Sequence, residues 1–214
     1  MTFGKYMTES VVEHLLANEV ELGGDDLRVT VLFSDIRGFT AMSEKLDAQQ
    51  VVKLLNEYFS RMVDVIMEHG GVVDKYIGDA LMVIFGAPVS TEHDSLNAVK
   101  AAVQMRSELA KLNAELMARG EAPIRTGIGL HTGDVVAGNI GSDRRMEYTV
   151  IGDAVNLASR LEGETKNLGS DLVISESTYD EVKEHVEARL LDTVQVKGRD
   201  QPVRVFAVDS IIEG

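Results

Sequence analysis

The order of apolar patterns along residues 29–141 limits the possible folds of this chain more than any other feature of its sequence. Residues 29–34 alternate in polarity as a strand does, and Leu32 indicates that both faces of this strand are covered. Apolar residues between positions 51 and 66 follow a helical period, and short strands are predicted at 72–76 and 80–85. A second helical pattern ends at Gly120, and a strand pattern follows. The order strand, helix, strand, strand, helix, strand predicts a ferredoxin-like split βαββαβ sheet in an α+β fold, with the helices on one face.

Residues after position 124 extend this sheet. The pattern over 124–141 predicts a strand, a turn at Gly133–Asp134 and a returning strand, and the glycines at 127, 129 and 138 are typical of sites where another backbone or a ligand approaches closely. A helix is predicted from Asp153 to Leu161. The strand at 172–175, the helix at 176–187 and a closing strand pair at 189–196 and 202–208 predict an additional C-terminal βαββ segment.

The N-terminal residues are interpreted as a lead-in to one large domain. Residues 10–17 have an amphipathic helical pattern, and Gly23–Asp26 are interpreted as a flexible linker because Gly and Asp favour turns. We therefore predict a lead-in helix and linker at 1–27 and one domain at 28–210.

Charge and composition exclude several classes of function. The chain of 214 residues has 21 Lys and Arg against 35 Asp and Glu, a net charge of −14, which argues against general binding to nucleic acid or anionic membranes. The absence of cysteine excludes disulfides, thiol nucleophiles and thiolate metal sites, and it suits a cytoplasmic protein. No apolar run reaches membrane-spanning length, so this segment is not expected to insert into a membrane.

Two acidic residues are expected to meet at one edge of the sheet. Asp35 ends the first strand, and Asp79 lies in the tight turn that opens the third strand. A helical crossover makes the first two strands parallel, so both end at the same edge and the two carboxylates converge, as a divalent-cation site requires. The turn at 36–40 precedes a helix, whose free amide groups suit a phosphate. The alternative is that both residues are solvated turn residues.

Motifs in a fixed order resemble the catalytic domains of the class III nucleotidyl cyclases, adenylyl and guanylyl. They are Phe33–Thr40, Lys75–Asp79, Gly129–Gly133, Tyr148–Arg160 and Val196–Gly198. The resemblance extends from about Val29 to Val208 and implies the class III nucleotidyl cyclase fold. Phe3–Tyr6 is similar to the segment that precedes many bacterial cyclase domains, which implies an upstream regulatory domain in a longer protein.

The resemblance implies a head-to-tail homodimer with ATP bound at each interface. One subunit would supply the metal ligands Asp35, Asp79 and the Ile36 carbonyl, with amides of Gly38, Phe39 and Thr40 on the triphosphate. The other would supply Lys75, Thr149, Asn156, Arg160 and Lys197, and either Arg144 or Arg145 is expected to assist with phosphate. The implied cofactors are two Mg²⁺ or Mn²⁺ ions per site, with Ca²⁺ possible at one position.

The chemistry implied is attack of the ribose 3′-hydroxyl on the α-phosphorus of ATP, which gives cyclic AMP and pyrophosphate. Arg160 would stabilise charge on the α-phosphoryl oxygens, Asn156 would orient the ribose, and Lys197 would hold the terminal phosphates. On a helix, Asn156 and Arg160 share one side in any case, so their spacing alone also fits an ordinary polar face.

The residues at the base position favour adenine. Lys75 has only donors and the Thr149 hydroxyl can accept, which complements the N1 acceptor and amino donor of adenine. Thr149 replaces the Asp of most adenylyl members, and this resembles a bicarbonate-responsive subset of bacterial and soluble animal cyclases. The alternatives are a guanylyl cyclase and a non-catalytic domain that binds nucleotide and regulates.

Overall fold

The computed structural model describes residues 9–17, 22–142, 144–195 and 202–212. The predictions for Phe3–Tyr6 and for Lys197 in Val196–Gly198 lie outside these residues. The elements, in chain order, are α1 (Glu9–Ala17), β1 (Gly23–Ile36), α2 (Phe39–Ser43), α3 (Ala48–Glu68), β2 (Val72–Ile77), β3 (Ala80–Phe85), α4 (Asp94–Ala118), β4 (Thr126–Ser142), β5 (Arg145–Ile151), α5 (Asp153–Glu164), β6 (Leu172–Ser175), α6 (Glu176–Val182), β7 (Val186–Val194) and β8 (Val203–Ile211).

The described strands form one sheet in the order β2-β3-β1-β4-β6-β8-β7, and β5 pairs with β4 outside this path. β3 is antiparallel to both β1 and β2, so β1 and β2 run parallel and end at the same edge. This confirms the ferredoxin-like βαββαβ arrangement. Beyond β4, the parallel strand β6 and the antiparallel strands β8 and β7 form the predicted C-terminal segment with α6.

Both faces of β1 are covered, as Leu32 indicated, but by different helices. Leu32 packs in a cluster with buried residues of α3, α4 and α6. Val31, which points to the other face, packs in a second cluster with Ala154 and Ala158 of α5. The prediction of helices on one face is therefore amended, because the small residues of α5 let that helix pack on the opposite face.

Gly23–Asp26 are the first residues of β1 and not a linker. They pair with residues 136–139 of β4, and Gly24 stands opposite Gly138. A Cβ on Gly138 would collide with the carbonyl oxygen of Gly23, so the close approach of the two strands requires glycine. Pairing with the long strand β4 outweighs the local turn preference of this segment.

The turn predicted at Gly133–Asp134 is also wrong. β4 runs without interruption, and these two residues pair with Val29 and Arg28 of β1. The returning strand is β5, which pairs with the last residues of β4, from Val136 to Ser142. The helix predicted at 176–187 ends earlier, at Val182, because β7 begins at Val186.

Side chains cap the starts of α3 and α6. Asp47 and Gln50 form a capping box at the start of α3, and the Ser175 side chain caps α6. Just before α4, the Thr91 amide donates to the Asp94 carboxylate at 2.8 Å. Among the helices that the structure describes, none is both long enough and apolar enough to cross a membrane.

Candidate functional site

Asp35 and Asp79 lie together at the edge of the sheet where β1 ends and β3 begins. Ser34 pairs with Leu81 at this edge, so Asp35 is the next residue of β1 and Asp79 immediately precedes β3. The Ile36 amide donates to Asp35 Oδ1 at 2.9 Å. Burial, and then hydrogen bonding and repulsion with the Asp79 carboxylate, raise the pKa of Asp35 to about 6. The predicted convergence of these carboxylates is confirmed.

This pair of carboxylates fits a divalent cation. Two ionised carboxylates in contact repel each other. Either a proton shared between them or a bound cation relieves this repulsion. Carboxylate and carbonyl oxygens are the ligands that Mg²⁺ and Mn²⁺ prefer. Within the described ranges no group of three or more His, Cys, Asp or Glu side chains is arranged to hold a metal ion. Water, and phosphate oxygens of a substrate when it is bound, would therefore complete the coordination, as is common for Mg²⁺.

Arg37 fixes the turn that follows Asp35. Its amide donates to the Arg125 carbonyl at 2.7 Å, its guanidinium donates to the Ser170 carbonyl at 2.8 Å, and it pairs with Asp171 at 3.0 Å. Gly38 has a φ of 71°, a left-handed conformation that glycine adopts without strain. The turn is therefore held rigidly against the edge of the sheet.

The residues predicted to bind phosphate follow this turn directly. α2 begins at Phe39, so the amides of Gly38, Phe39 and Thr40 lie where main-chain N–H groups have no intrahelical acceptor. A cleft of about 460 Å³ runs beside the turn, lined in part by Asp35, Gly38 and Glu162. The acidic residues at the sheet edge and the main-chain N–H groups of the turn therefore border the same cleft.

Glu162 is a third carboxylate near this edge, and no sequence motif points to it. Burial first, and then the charge of Asp35, raise its pKa to about 7, although Arg37 lowers it. A Cβ on Gly129 would collide with the backbone nitrogen of Glu162, and one on Gly127 with the Thr165 hydroxyl. Glycines in β4 thus allow α5 to pack closely enough to bring Glu162 beside the acidic pair, and their predicted role in close approach is confirmed.

Asn156 and Arg160 lie on α5, one turn apart. The helix buries its Leu157 and Leu161 side against the sheet, whereas Asn156 is exposed and Arg160 partly exposed. The four-residue spacing puts the two polar side chains on the same side of the helix. They are therefore held on the element that packs against the acidic edge.

Lys75 and Thr149 both lie close to the carboxylate of Asp74. A bulge lies between Val73 and Lys75 of β2, and Lys75 stands opposite Met82 of β3. Lys75 Nζ lies 3.3 Å from Asp74 Oδ2 and 3.4 Å from Glu147 Oε2 on β5. Burial raises the pKa of Asp74, while the nearby Thr149 hydroxyl and Lys75 lower it.

Residues 25–209 match the protein family described as the adenylate and guanylate cyclase catalytic domain. The chain belongs to this family. The resemblance inferred from the sequence motifs is therefore confirmed, although the subset with Thr at the base position remains a prediction.

Two solved cyclase structures resemble the chain over most of its length. The guanylyl cyclase Cya2 is 42% identical, with 90% of this chain and 96% of that chain covered and a TM-score of 0.82. The adenylyl cyclase CyaB from P. aeruginosa is 38% identical, with 88% and 97% covered and a TM-score of 0.82. The class III cyclase fold predicted from the sequence is confirmed.

An adenylate cyclase of Anabaena cylindrica is 40% identical over 207 residues. The match covers 93% of this chain but 40% of that protein. The cyclase domain described here thus spans less than half the length of this relative.

The cyclase domain brings its predicted site residues into separate groups within one chain. Asp35 and Asp79 meet at the acidic edge, Gly38 and the first residues of α2 adjoin it, and Lys75 and Thr149 both lie near Asp74. Arg145 pairs with Glu147 at 3.0 Å and Arg144 is exposed in the turn before β5, so neither is singled out as a phosphate ligand. Asp74 and Glu162 are the residues that sequence reasoning missed.

Proposed function

We propose that this domain is an adenylyl cyclase, which converts ATP to 3′,5′-cyclic AMP and pyrophosphate. The observation that carries the proposal is the contact between Asp35 and Asp79 in a chain of the cyclase family. A pair of carboxylates beside a turn with free amide groups is suited to a metal-bound triphosphate. The reaction joins the ribose 3′-oxygen to the α-phosphorus and releases pyrophosphate.

The acidic edge would hold the metal ions. Asp35, Asp79 and the Ile36 carbonyl would bind them, two Mg²⁺ or Mn²⁺ ions per site with Ca²⁺ possible at one position. When bound, such ions lower the pKa of the attacking hydroxyl and neutralise charge on the leaving phosphates. The amides of Gly38, Phe39 and Thr40 would donate to the triphosphate.

The polar side chains on α5, together with Lys197, would act on the reacting groups. The Arg160 guanidinium would donate to the α-phosphoryl oxygens, where negative charge develops. Asn156 would hold the ribose so that its 3′-oxygen is in line with the leaving group, and Lys197 would hold the terminal phosphates. No described side chain needs to serve as a dedicated base in this scheme.

We infer that the site is completed by a second copy of the chain in a head-to-tail homodimer. Because one sequence contains both the metal-binding and the base-binding residues, a symmetric pair would contain two equivalent sites. Val136 and Ile151 support an interface beside Thr149, since they pair across β4 and β5 and are 39% and 53% exposed. Apolar side chains exposed in this way are typical of surfaces that become covered.

ATP is favoured over GTP by the chemistry of the base-binding residues. Lys75 can only donate, which suits adenine N1 and opposes the N1–H of guanine. The competing proposal is a guanylyl cyclase, and the similarity to Cya2 favours it. A nucleotide-binding domain without catalysis is the remaining alternative.

Product analysis distinguishes these proposals. The purified chain is incubated with Mn²⁺ and equal concentrations of ATP and GTP, and cyclic AMP and cyclic GMP are quantified by mass spectrometry. Cyclic AMP as the main product supports the proposal, and cyclic GMP as the main product overturns it. Binding of ATP without either cyclic product would favour the non-catalytic alternative. Adding bicarbonate to the same assay tests the sensitivity implied by Thr149.

A further regulatory segment is proposed for the full-length protein, because the chain matches only 40% of its Anabaena relative. We expect that segment to control how the two copies of the cyclase domain meet. Comparing the activity of the full-length protein with that of the chain described here tests this directly.

A further inference from the structure

Asp74 is a buried carboxylate that the catalytic scheme above does not use. Its side chain is 1% exposed, although it belongs to an edge strand of the sheet. Both carboxylate oxygens are shielded from solvent, and neither makes a hydrogen bond of good geometry within the described structure. A buried charge without complete hydrogen bonding is costly, so its presence requires an explanation.

The bulge in β2 explains where this carboxylate points. Val73 pairs with Val83 and Lys75 with Met82, so Asp74 is the extra residue of the bulge. A bulge turns adjacent side chains toward the same side of a strand and often re-aims them near a binding site. Here it sets the Lys75 ammonium 3.3 Å from the Asp74 carboxylate, and it puts the same carboxylate beside the Thr149 hydroxyl.

We propose that Asp74 is a positioning residue that fixes the hydrogen-bonding roles of Lys75 and Thr149 and so determines the choice of base. This inference rests on the proposed cyclase function. When the base is bound, the Thr149 hydroxyl donates its proton to Asp74, and its lone pairs then face the base. Asp74 also restrains the Lys75 ammonium, which keeps its remaining protons directed at the base.

In this arrangement the Thr149 hydroxyl, which could otherwise donate or accept, acts toward the base only as an acceptor. A free Thr hydroxyl can donate to guanine O6 or accept from the adenine amino group, and so it discriminates poorly. A Thr149 hydroxyl that already donates to Asp74 can only accept, which matches adenine and opposes guanine O6. Asp74 thereby gives a Thr side chain the selectivity of an obligate acceptor.

Substitutions of Asp74 test this by changing the number of acceptors it offers. Asp74→Leu removes both acceptors at similar size, and Asp74→Asn keeps one and removes the charge. We expect the ratio of kcat/KM for ATP to kcat/KM for GTP to fall at least tenfold in Asp74→Leu and about threefold in Asp74→Asn. A purely structural role would lower both values together and leave this ratio unchanged, which would overturn the proposal.

Glu147→Gln is the matched control. It removes the other carboxylate near Lys75, at 3.4 Å, but this residue is exposed, whereas the Asp74 side chain is 1% exposed. We expect its ATP to GTP ratio to stay within twofold of the wild-type ratio. A loss of selectivity as large as that of Asp74→Leu would show that charge near Lys75 suffices and would overturn the specific role of Asp74.

A double-mutant cycle tests the link to Thr149. In a Thr149→Val background there is no hydroxyl to orient, so Asp74→Leu should change the ratio at least threefold less than it does in the wild type. If the effects of Asp74→Leu and Thr149→Val on this ratio are strictly additive, Asp74 does not act through Thr149 and the proposal is overturned. Thermal unfolding is measured for every variant to show that it is folded. If Asp74→Leu does not fold, the same comparison is made with Asp74→Asn.

Failure of the proposed function can be separated from failure of this inference. If the wild type forms no cyclic product, the same variants are compared by competition of ATP and GTP against a fluorescent ATP analogue, which needs no turnover. A binding ratio that falls in Asp74→Leu would support the role of Asp74 even then. Wild-type production of cyclic AMP, with an unchanged ratio in both Asp74 variants, would overturn the inference alone.

Discussion

The carboxylates of Asp35 and Asp79 lie against each other at the end of β1, and this contact together with burial raises the pKa of Asp35 to about 6. The pKa of Asp in an unfolded chain is about 4. The folded protein therefore binds this proton more tightly than the unfolded chain does. The resulting stabilisation is complete below about pH 4 and is lost as the pH rises through about 6.

Removing the charge of Asp35 should stabilise the metal-free protein at high pH. We expect Asp35→Asn to raise the free energy of unfolding by about 1–2 kcal/mol at pH 8, after allowance for solvent screening, and to change it little at pH 4. Urea unfolding in EDTA at the two pH values measures this. Glu184→Gln, at an exposed position on the surface, should shift stability by less than about 0.5 kcal/mol at either pH. Equal stability of Asp35→Asn and wild type at pH 8 would contradict the proximity of the two charges.

Metal binding should compete with the same proton. Below pH 6 the Asp35 carboxylate must lose its proton before it can bind a cation, so the apparent affinity for Mn²⁺ should fall by up to about tenfold per pH unit. Isothermal titration calorimetry with Mn²⁺ between pH 5 and 8, without nucleotide, measures how the apparent affinity changes with pH. An affinity that does not vary between pH 5 and 6 would argue against Asp35 as a ligand.

The meeting of Asp35 and Asp79 could be predicted because it follows from the order of the elements. A helical crossover fixes β1 and β2 as parallel, and the tight turn after β2 then has to lie beside the end of β1. Local patterns were less reliable. Gly23–Asp26 and Gly133–Asp134 have strong turn preferences, yet the long pairing of β1 with β4 makes both segments extended.

Asp74 and Glu162 could not be assigned from the sequence, for different reasons. The position of Asp74 depends on a bulge, and one extra residue in a strand leaves no distinct mark in a short pattern of alternating polarity. Glu162 approaches the acidic edge only because α5 packs closely on the glycines of β4. Glycines within a strand indicate a close approach, but they do not identify which side chain arrives.

The packing of α5 on Gly129 should be sensitive to a single methyl group. A Cβ at this position would collide with the main chain of α5 at Glu162, so the helix that holds Asn156 and Arg160 would have to move. We expect Gly129→Ala to lower the free energy of unfolding by about 1–3 kcal/mol and to reduce cyclase activity by at least tenfold.

Gly163→Ala is the matched control on the same helix, because an added Cβ there meets no atom within 4 Å. Alanine is the better helix former, so this variant should be neutral or more stable by up to about 1 kcal/mol and should keep its activity. Urea unfolding and the cyclic AMP assay are applied to both variants. Wild-type activity in Gly129→Ala would show that the position of α5 is not critical.

Mixing two inactive variants should restore activity if each site is shared between two copies of the chain. In a dimer of Asp35→Ala with Asn156→Ala, one site carries both lesions and the other carries neither. Random exchange makes half of the dimers mixed, so the mixture should regain about a quarter of the wild-type activity. Mixing Asp35→Ala with Asp79→Ala provides the control, because both lesions affect the metal-binding half and each site of a mixed dimer retains one of them. Native mass spectrometry verifies that mixed dimers form, and the absence of recovery despite their presence would rule out sites shared across the interface.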